Sequence, residues 1–351
     1  MSGLSSLILF AIFAVGAAAT WVAGVYLSKT TDALDDRLHL GEALGGMILL
    51  AVAGSLPEAA ITVSAVLQHH IDIAAGNLAG GIAMQTMVLA ICDAVVSRKQ
   101  PLSYLVGSLI PVLEAGLVVC VVALVLMGTL LPSSVNLAGM SPASIAIVVV
   151  WVGGVWVLNR VRKSPMWQIV MPGSKPGRPH RRVPHPQAGR PYAHVSTRRV
   201  ELIFLAACLV TLAGGVALQM SGSALAGRAG INGVVFGATV LALVSALPEI
   251  SSGIAAVRLG DNQLAMADVF GGNSFQVCLF VVADLLAGKP VLPASGAVNA
   301  WLAGVGILIT MVYAVAVVIR PQRCVARLGI DSIVASAFFI VGLLAIYYVP
   351  H

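Results

Sequence analysis

The chain has 351 residues, of which 59% are hydrophobic and only 10% are charged. A soluble domain carries about 25% charged residues, so a water-soluble globular protein is excluded and the chain reads as a polytopic membrane protein. The net charge of +6 does not point to nucleic acid, because the basic residues fall where a membrane topology puts them.

Apolar runs long enough to cross a bilayer, about 20 residues each, recur along the chain at 4–27, 42–68, 71–96, 104–127, 142–159, 200–219, 233–257, 262–287, 296–319 and 330–349. The first run lacks a basic flank and is too long for a signal peptide, so it is expected to be retained. With the N-terminus outside, 18 of the 20 Lys and Arg lie on inward-facing connections, and only Arg228 and Lys289 lie outside. Basic residues favour the cytoplasmic side. The expectation is an integral protein of a bacterial plasma (inner) membrane, with the central loop cytoplasmic and both termini outside.

The ten runs divide into a first half, 1–159, and a second half, 200–351. The stretch between them, 160–199, is rich in Pro, Arg and His and contains no Asp or Glu. Such a linker cannot bury a core and is expected to be extended. It reads as a tether on the inner face, or as a contact for anionic lipid headgroups. Five scattered cysteines without a CxxC read as small apolar fillers.

One stretch occurs twice. GSLPEAAITVSAVLQHHIDIAAGNLAGGIAMQ, from Gly54 to Gln85, aligns without a gap on SALPEISSGIAAVRLGDNQLAMADVFGGNSFQ, from Ser245 to Gln276, at an offset of 191 residues. Glu58 falls on Glu249, Asn77 on Asp268, Gly80-Gly81 on Gly271-Gly272, and Gln85 on Gln276. Because each half holds five spans, the second half inserts upside down relative to the first. That is an inverted-topology repeat, an arrangement found in many secondary transporters. The fold class expected is therefore all-α: ten transmembrane helices as two inverted five-helix repeats, with helices 2 and 7 broken.

The break is expected at the Leu-Pro-Glu triplets. Pro57 and Pro248 lack an amide hydrogen and clash with the carbonyl four residues back. Freed carbonyls at membrane depth are tolerated only beside a cavity. Glu58 and Glu249 then fall in the first turn of a restarted helix. Carboxylates at this depth are costly and usually functional. Three carboxylates, Glu58, Glu249 and Asp268, with the Asn77 amide make a hard-oxygen site suited to a divalent cation. Three charges also suit two or three monovalent ions in its place, which is the arithmetic of exchange. Ser55 and Ser245, beside the two breaks, complete the candidate ligand set. Gly80-Gly81 and Gly271-Gly272 permit close helix approach.

These paired motifs resemble the alpha-repeats of the cation/calcium antiporter superfamily, which includes the sodium/calcium exchangers. The alpha-1 stretch covers 41–96 and the alpha-2 stretch 233–287. Ten spans, inverted halves and a basic central loop are similar to its prokaryotic members. The resemblance implies that Glu58, Asn77, Glu249 and Asp268 coordinate calcium. It implies a secondary antiporter that exchanges calcium, or a similar divalent cation, for sodium or protons by alternating access.

The departures concern the counter-ion. Sodium-coupled members usually carry Thr-Ser before Leu-Pro-Glu, where this chain has Gly54-Ser55 and Ser245-Ala246. They tend to carry Ser four residues before the Asn/Asp, where this chain has Ile73 and Leu264. The Gly-Asn-x-x-Glu pattern of the proton-coupled branch is absent too. Sodium coupling is weakened by the lost hydroxyls, and protons are expected to contribute.

Other ionisable groups lie outside this set. Asp93 and Asp284 share the 191-residue offset and are expected near the membrane edges. Glu114, after Pro111, reads either as a proton-carrying group or as a helix–helix hydrogen-bond partner. Glu42 is expected at an interface, and His69, His70 and Asp72 in a short outer loop. A passive cation channel built on the same acidic constriction is the rival function. No hydrolase motif is present, so no enzyme activity is expected. No cofactor is expected. The expected partners are inorganic cations and the lipid bilayer, with no nucleic acid; a monomer would suffice for transport.

Overall fold

The computed structural model describes residues 4–38, 51–96, 100–163, 192, 195–258 and 260–349. Glu42, the start of the second run, Arg98, Lys99 and most of the central linker lie outside the described residues. Within them the chain is almost wholly helical, and its one sheet is the two-residue hairpin Cys324–Val325 with Leu328–Gly329.

The first half holds α1 (Ser6–Leu38), α2 (Leu56–Leu67), α3 (Ile71–Thr86), α4 (Val88–Val96), the short α5 (Leu102–Leu105), α6 (Ile110–Thr129) and α7 (Pro142–Lys163). The second half begins with α8 (Thr197–Ala229). It continues through α9 (Gly233–Phe236), a π-helical turn (Gly237–Leu241), α10 (Ala242–Ser245) and α11 (Leu247–Arg258). Then come α12 (Asn262–Gln276), α13 (Leu279–Ala287), α14 (Gly296–Ile319) and α15 (Ile330–Ala345). Among the described residues, eight helical spans are long and apolar enough to cross a bilayer, and Gly233–Ser245 with Leu247–Arg258 adds one span bent by 41°. The remaining expected span ends as α2. Its helical residues 51–54 meet α2 at Ser55, and its beginning is outside the described residues.

Two helices run beyond their apolar runs. α1 continues to Leu38 because its polar end is held: Arg37 donates to Thr197 Oγ1 at 3.2 Å and to the Tyr192 carbonyl at 2.7 Å. α8 reaches Ala229 and stops at Gly230, whose φ of +67° closes it with a left-handed cap.

Helix contacts come in pairs that exchange under the 191-residue offset. α2 packs on α8, and α11 on α1. α3 packs on α14, and α12 on α6. α4 packs on α11, and α13 on α2. α1 with α8, and α6 with α14, each pair with their own repeat image. This is the contact pattern of a pseudo-two-fold, and it sets the two halves face to face around α3 and α12. Small residues permit the closest approach. A Cβ on Gly80 would stand 2.3 Å from the Ala238 Cβ, and one on Gly237 would stand 2.6 Å from the Ile73 carbonyl. α3 therefore lies directly on the π turn.

Candidate ion site

The site forms where the two Leu-Pro-Glu breaks meet. At the first, Ser55 sits between the helical residues 51–54 and α2 with φ −84° and ψ 11°, and Pro57 occupies the first turn of α2. At the second, Ala246 separates α10 from α11. The ladders bridge both joints, since Ala59 N bonds the Ser55 carbonyl and Ile250 N bonds the Ala246 carbonyl. Pro57 and Pro248, lacking an amide hydrogen, leave the carbonyls of Ala53 and Val244 without their helical donor. Each break is thus a bend whose proline leaves a carbonyl open, and at the second the two parts of the span meet at 41°. The π turn just upstream loosens the same segment, as such turns often do at functional sites.

Glu58 and Asn77 are fully buried, and Ser55, Ser245, Glu249 and Asp268 are buried as well. Gln85 Nε2 donates to Glu58 Oε1 at 2.9 Å. Ser252 donates to Asp268 Oδ2. Glu58 Oε2, both oxygens of Glu249, and both polar atoms of the Asn77 side chain have no hydrogen-bond partner. A buried polar atom without a partner is costly, and here several occur on the repeated motifs alone. The charges of Glu58 and Asp268 both bear on Glu249. Across the repeats, Ser245 lies against Glu58, and a Cβ on Gly54 would stand 3.7 Å from Glu249 Oε1. Each break is therefore set beside the glutamate of the other half.

A narrow cleft reaches this region. It is lined by Gly54, Pro57, Thr211, Glu249, Ser252 and Asp268 among others. Among the described residues no three His, Cys, Asp or Glu side chains converge within ligating distance of one point. In this conformation Glu249 and Asp268 line the cleft, and the carboxylates do not close around one centre. Ser252 and Thr211 were not singled out by sequence. Ser252 lies one turn after Glu249, a spacing that could have flagged it; Thr211, on α8, carries no such signal.

The other weighed residues have separate roles. Asp93 and Asp284 stand near span ends as expected, but they are buried. Asp93 accepts from the amides of Leu102 (2.6 Å) and Gly329 (2.6 Å) and from Ser332 Oγ (2.8 Å). Asp284 accepts from the amides of Ser141 (2.8 Å) and Val291 (2.6 Å). Each thereby ties its own helix to the start of the last helix of the opposite half. Glu114 is ion-paired with Arg162 of α7, which places it with helix–helix contacts. Its second oxygen is buried without a partner beside a small cavity walled by Trp151, Phe270 and Ser274. His69 and His70 lie in the turn between α2 and α3.

Fold and site together define a polytopic inverted-repeat membrane transporter with an acidic centre, and comparison with known proteins agrees. The sequence profile described as sodium/calcium exchanger protein matches residues 8–158 and 200–349, and the chain belongs to that family. It is an integral membrane protein of the cation/calcium exchange class. It is 24% identical over 257 residues to inner membrane protein YrbG of Escherichia coli (strain K12), covering 72% of this chain and 70% of that protein. The fold is similar to that of the H+/Ca2+ exchanger CAX, with a TM-score of 0.67 at 14% identity, covering 98% of this chain and 82% of the other. It is also similar to the sodium-calcium exchanger NCX_Mj, with a TM-score of 0.60 at 13% identity, covering 97% and 99%.

Proposed function

We propose that the protein is a secondary antiporter that moves calcium, or a similar divalent cation, against protons or sodium by alternating access. The ion is held between the halves by Glu58, Asn77, Glu249 and Asp268, with Ser55 and Ser245 at the two breaks. The observation that carries this is the reciprocal placement of Ser245 on Glu58 and of Gly54 beside Glu249. An ion there belongs to both halves, so its binding responds to any motion of one half against the other.

Calcium takes six to eight oxygens at about 2.3–2.6 Å. The unpartnered oxygens of Glu58, Glu249 and Asn77, with Asp268 and the Ala53 and Val244 carbonyls, are the candidate donors. Side-chain rotation would have to bring them onto one ion.

Alternating access is supported by an asymmetry between the halves. Gly24 and Leu27 of α1 wall the cleft beside Glu249. The related interface of α2 with α8 is shut by polar contacts. Ser64 Oγ and Gln68 Nε2 each donate to Gln219 Oε1 at 2.8 Å. Exchanging these two arrangements between the halves is a motion of the kind that alternating access requires.

Protons are the favoured counter-ion. Sodium needs about five or six oxygens, and Gly54, Ala246, Ile73 and Leu264 supply no side-chain oxygen where sodium-coupled relatives usually have hydroxyls. A proton needs only one carboxylate oxygen. The test loads reconstituted vesicles with calcium and follows its release at fixed membrane potential. Release driven by an opposing pH gradient is expected. Release that runs equally without any opposing gradient would mark a channel, and release driven by sodium alone would overturn the proton reading.

A further inference from the structure

We infer that Asp93 and Asp331 form a second cation site, for a divalent metal ion, at the face of the bundle where the basic 320–329 loop lies. It is separate from the transport site in the chain, since Asp93 belongs to α4, beyond the Met87 break that ends α3.

The two ends of the molecule carry the same staple, and only one end carries an extra charge. At one end Asp284 ties α13 to the start of α7 through the Ser141 amide. At the other Asp93 ties α4 to the start of α15 through Gly329 and Ser332. Ser141 and Ser332 correspond under the repeat offset, as do Asp284 and Asp93. The residue before each serine differs: it is Met140 at one end and Asp331 at the other. The methionine shows that the staple itself needs no second carboxylate.

Asp331 is 5% exposed, and neither of its oxygens accepts a hydrogen bond. Ser103, fully buried, lies against it with its hydroxyl toward the carboxylate. Gly329 leaves room for the carboxylate, because a Cβ there would stand 2.2 Å from Asp331 Oδ1. The first amides of α15 face the same group, a field that suits an anion. A second anion, Asp93, adjoins it. Asp93 uses three of its roughly four lone-pair positions on Leu102, Gly329 and Ser332, leaving one. Both Asp331 oxygens, the spare position on Asp93 and Ser103 Oγ are hard oxygen donors. Two carboxylates match the charge of one divalent ion, with water completing the shell. A divalent ion between the two carboxylates would offset their mutual repulsion. Among the described residues the nearby guanidinium of Arg320 is directed to the Tyr104 carbonyl and ring.

Equilibrium binding of radioactive calcium to the purified full-length protein counts the sites. Asp331→Asn, and Asp331→Met copying the opposite end, are each expected to bind one ion fewer per chain than wild type. Glu249→Gln is expected to lose a different ion, so that combining it with either Asp331 variant loses both. Calcium should also raise the unfolding temperature of Glu249→Gln protein, by preferential binding to the folded state, and the added Asp331 substitution should abolish that rise. Unchanged stoichiometry in both Asp331 variants overturns the inference. So does the loss of the same ion that Glu249→Gln removes. If the Asp331 variants lose an ion and Glu249→Gln loses none, this site stands and the transport-site assignment falls.

Discussion

Gln85 and Gln276 occupy the same position of the two repeats and serve different partners. Gln85 Nε2 donates to Glu58 Oε1 within its own half, whereas Gln276 Nε2 crosses to the carbonyls of Asn77 and Leu78 at 3.2 and 3.1 Å. Glu58 is thereby oriented by one fixed donor, and Glu249 keeps both oxygens unpartnered. The two glutamates of a symmetric motif are chemically unequal, and the inequality comes from one side chain crossing between the repeats.

Gln85→Ala should therefore weaken calcium binding. A hydrogen bond to a charged group is worth about 1.5–3 kcal/mol, and each 1.4 kcal/mol is about tenfold in affinity, so a loss of about tenfold or more is expected. Gln276→Ala removes no donor to a glutamate and should lower the unfolding temperature with little change in affinity. Calcium titrations and thermal unfolding on both variants check this. Equal affinity loss in the two would show that Gln85 has no special hold on Glu58.

The bend at Pro248 should also affect binding. Pro248→Ala restores an amide opposite the Val244 carbonyl, which would close the rung and reduce the 41° bend. The ion would lose a backbone donor, so calcium affinity should fall. Unchanged affinity would make the proline a packing feature only.

Much of this architecture is legible in the sequence. The ten apolar runs, the inverted halves and the Glu/Asn/Asp positions follow from hydropathy, parity and a gapless repeat. The pairings are not legible. Asp93 and Asp284 share an offset that sequence displays, yet their partners are backbone amides, which carry no residue signature. Arg162 reaches Glu114 across 48 positions, and it reads in sequence as one more basic residue at the mouth of the linker. The π turn at Gly237–Leu241 has no periodicity of its own. Its one sequence hint is Gly237 itself, which packs under Ile73 and Asn77 of α3.

Asn77 breaks the symmetry of charge with Asp268, and Asn77→Asp should reveal why. A fourth carboxylate holds a divalent ion more tightly, and a tightly held ion leaves slowly. Calcium affinity should rise while turnover falls by a larger factor. The check is equilibrium binding beside initial exchange rate in the same preparation, and tighter binding with unchanged turnover would contradict it.

The central claim is that one ion is shared by the glutamates of both halves. It is tested most directly by calcium exchange in vesicles carrying Glu58→Gln or Glu249→Gln at matched levels of inserted, folded protein. Gln keeps the volume and removes the charge that offsets dehydration of the ion. Each single substitution is predicted to abolish exchange. Near-normal calcium flux in either variant would contradict the shared site.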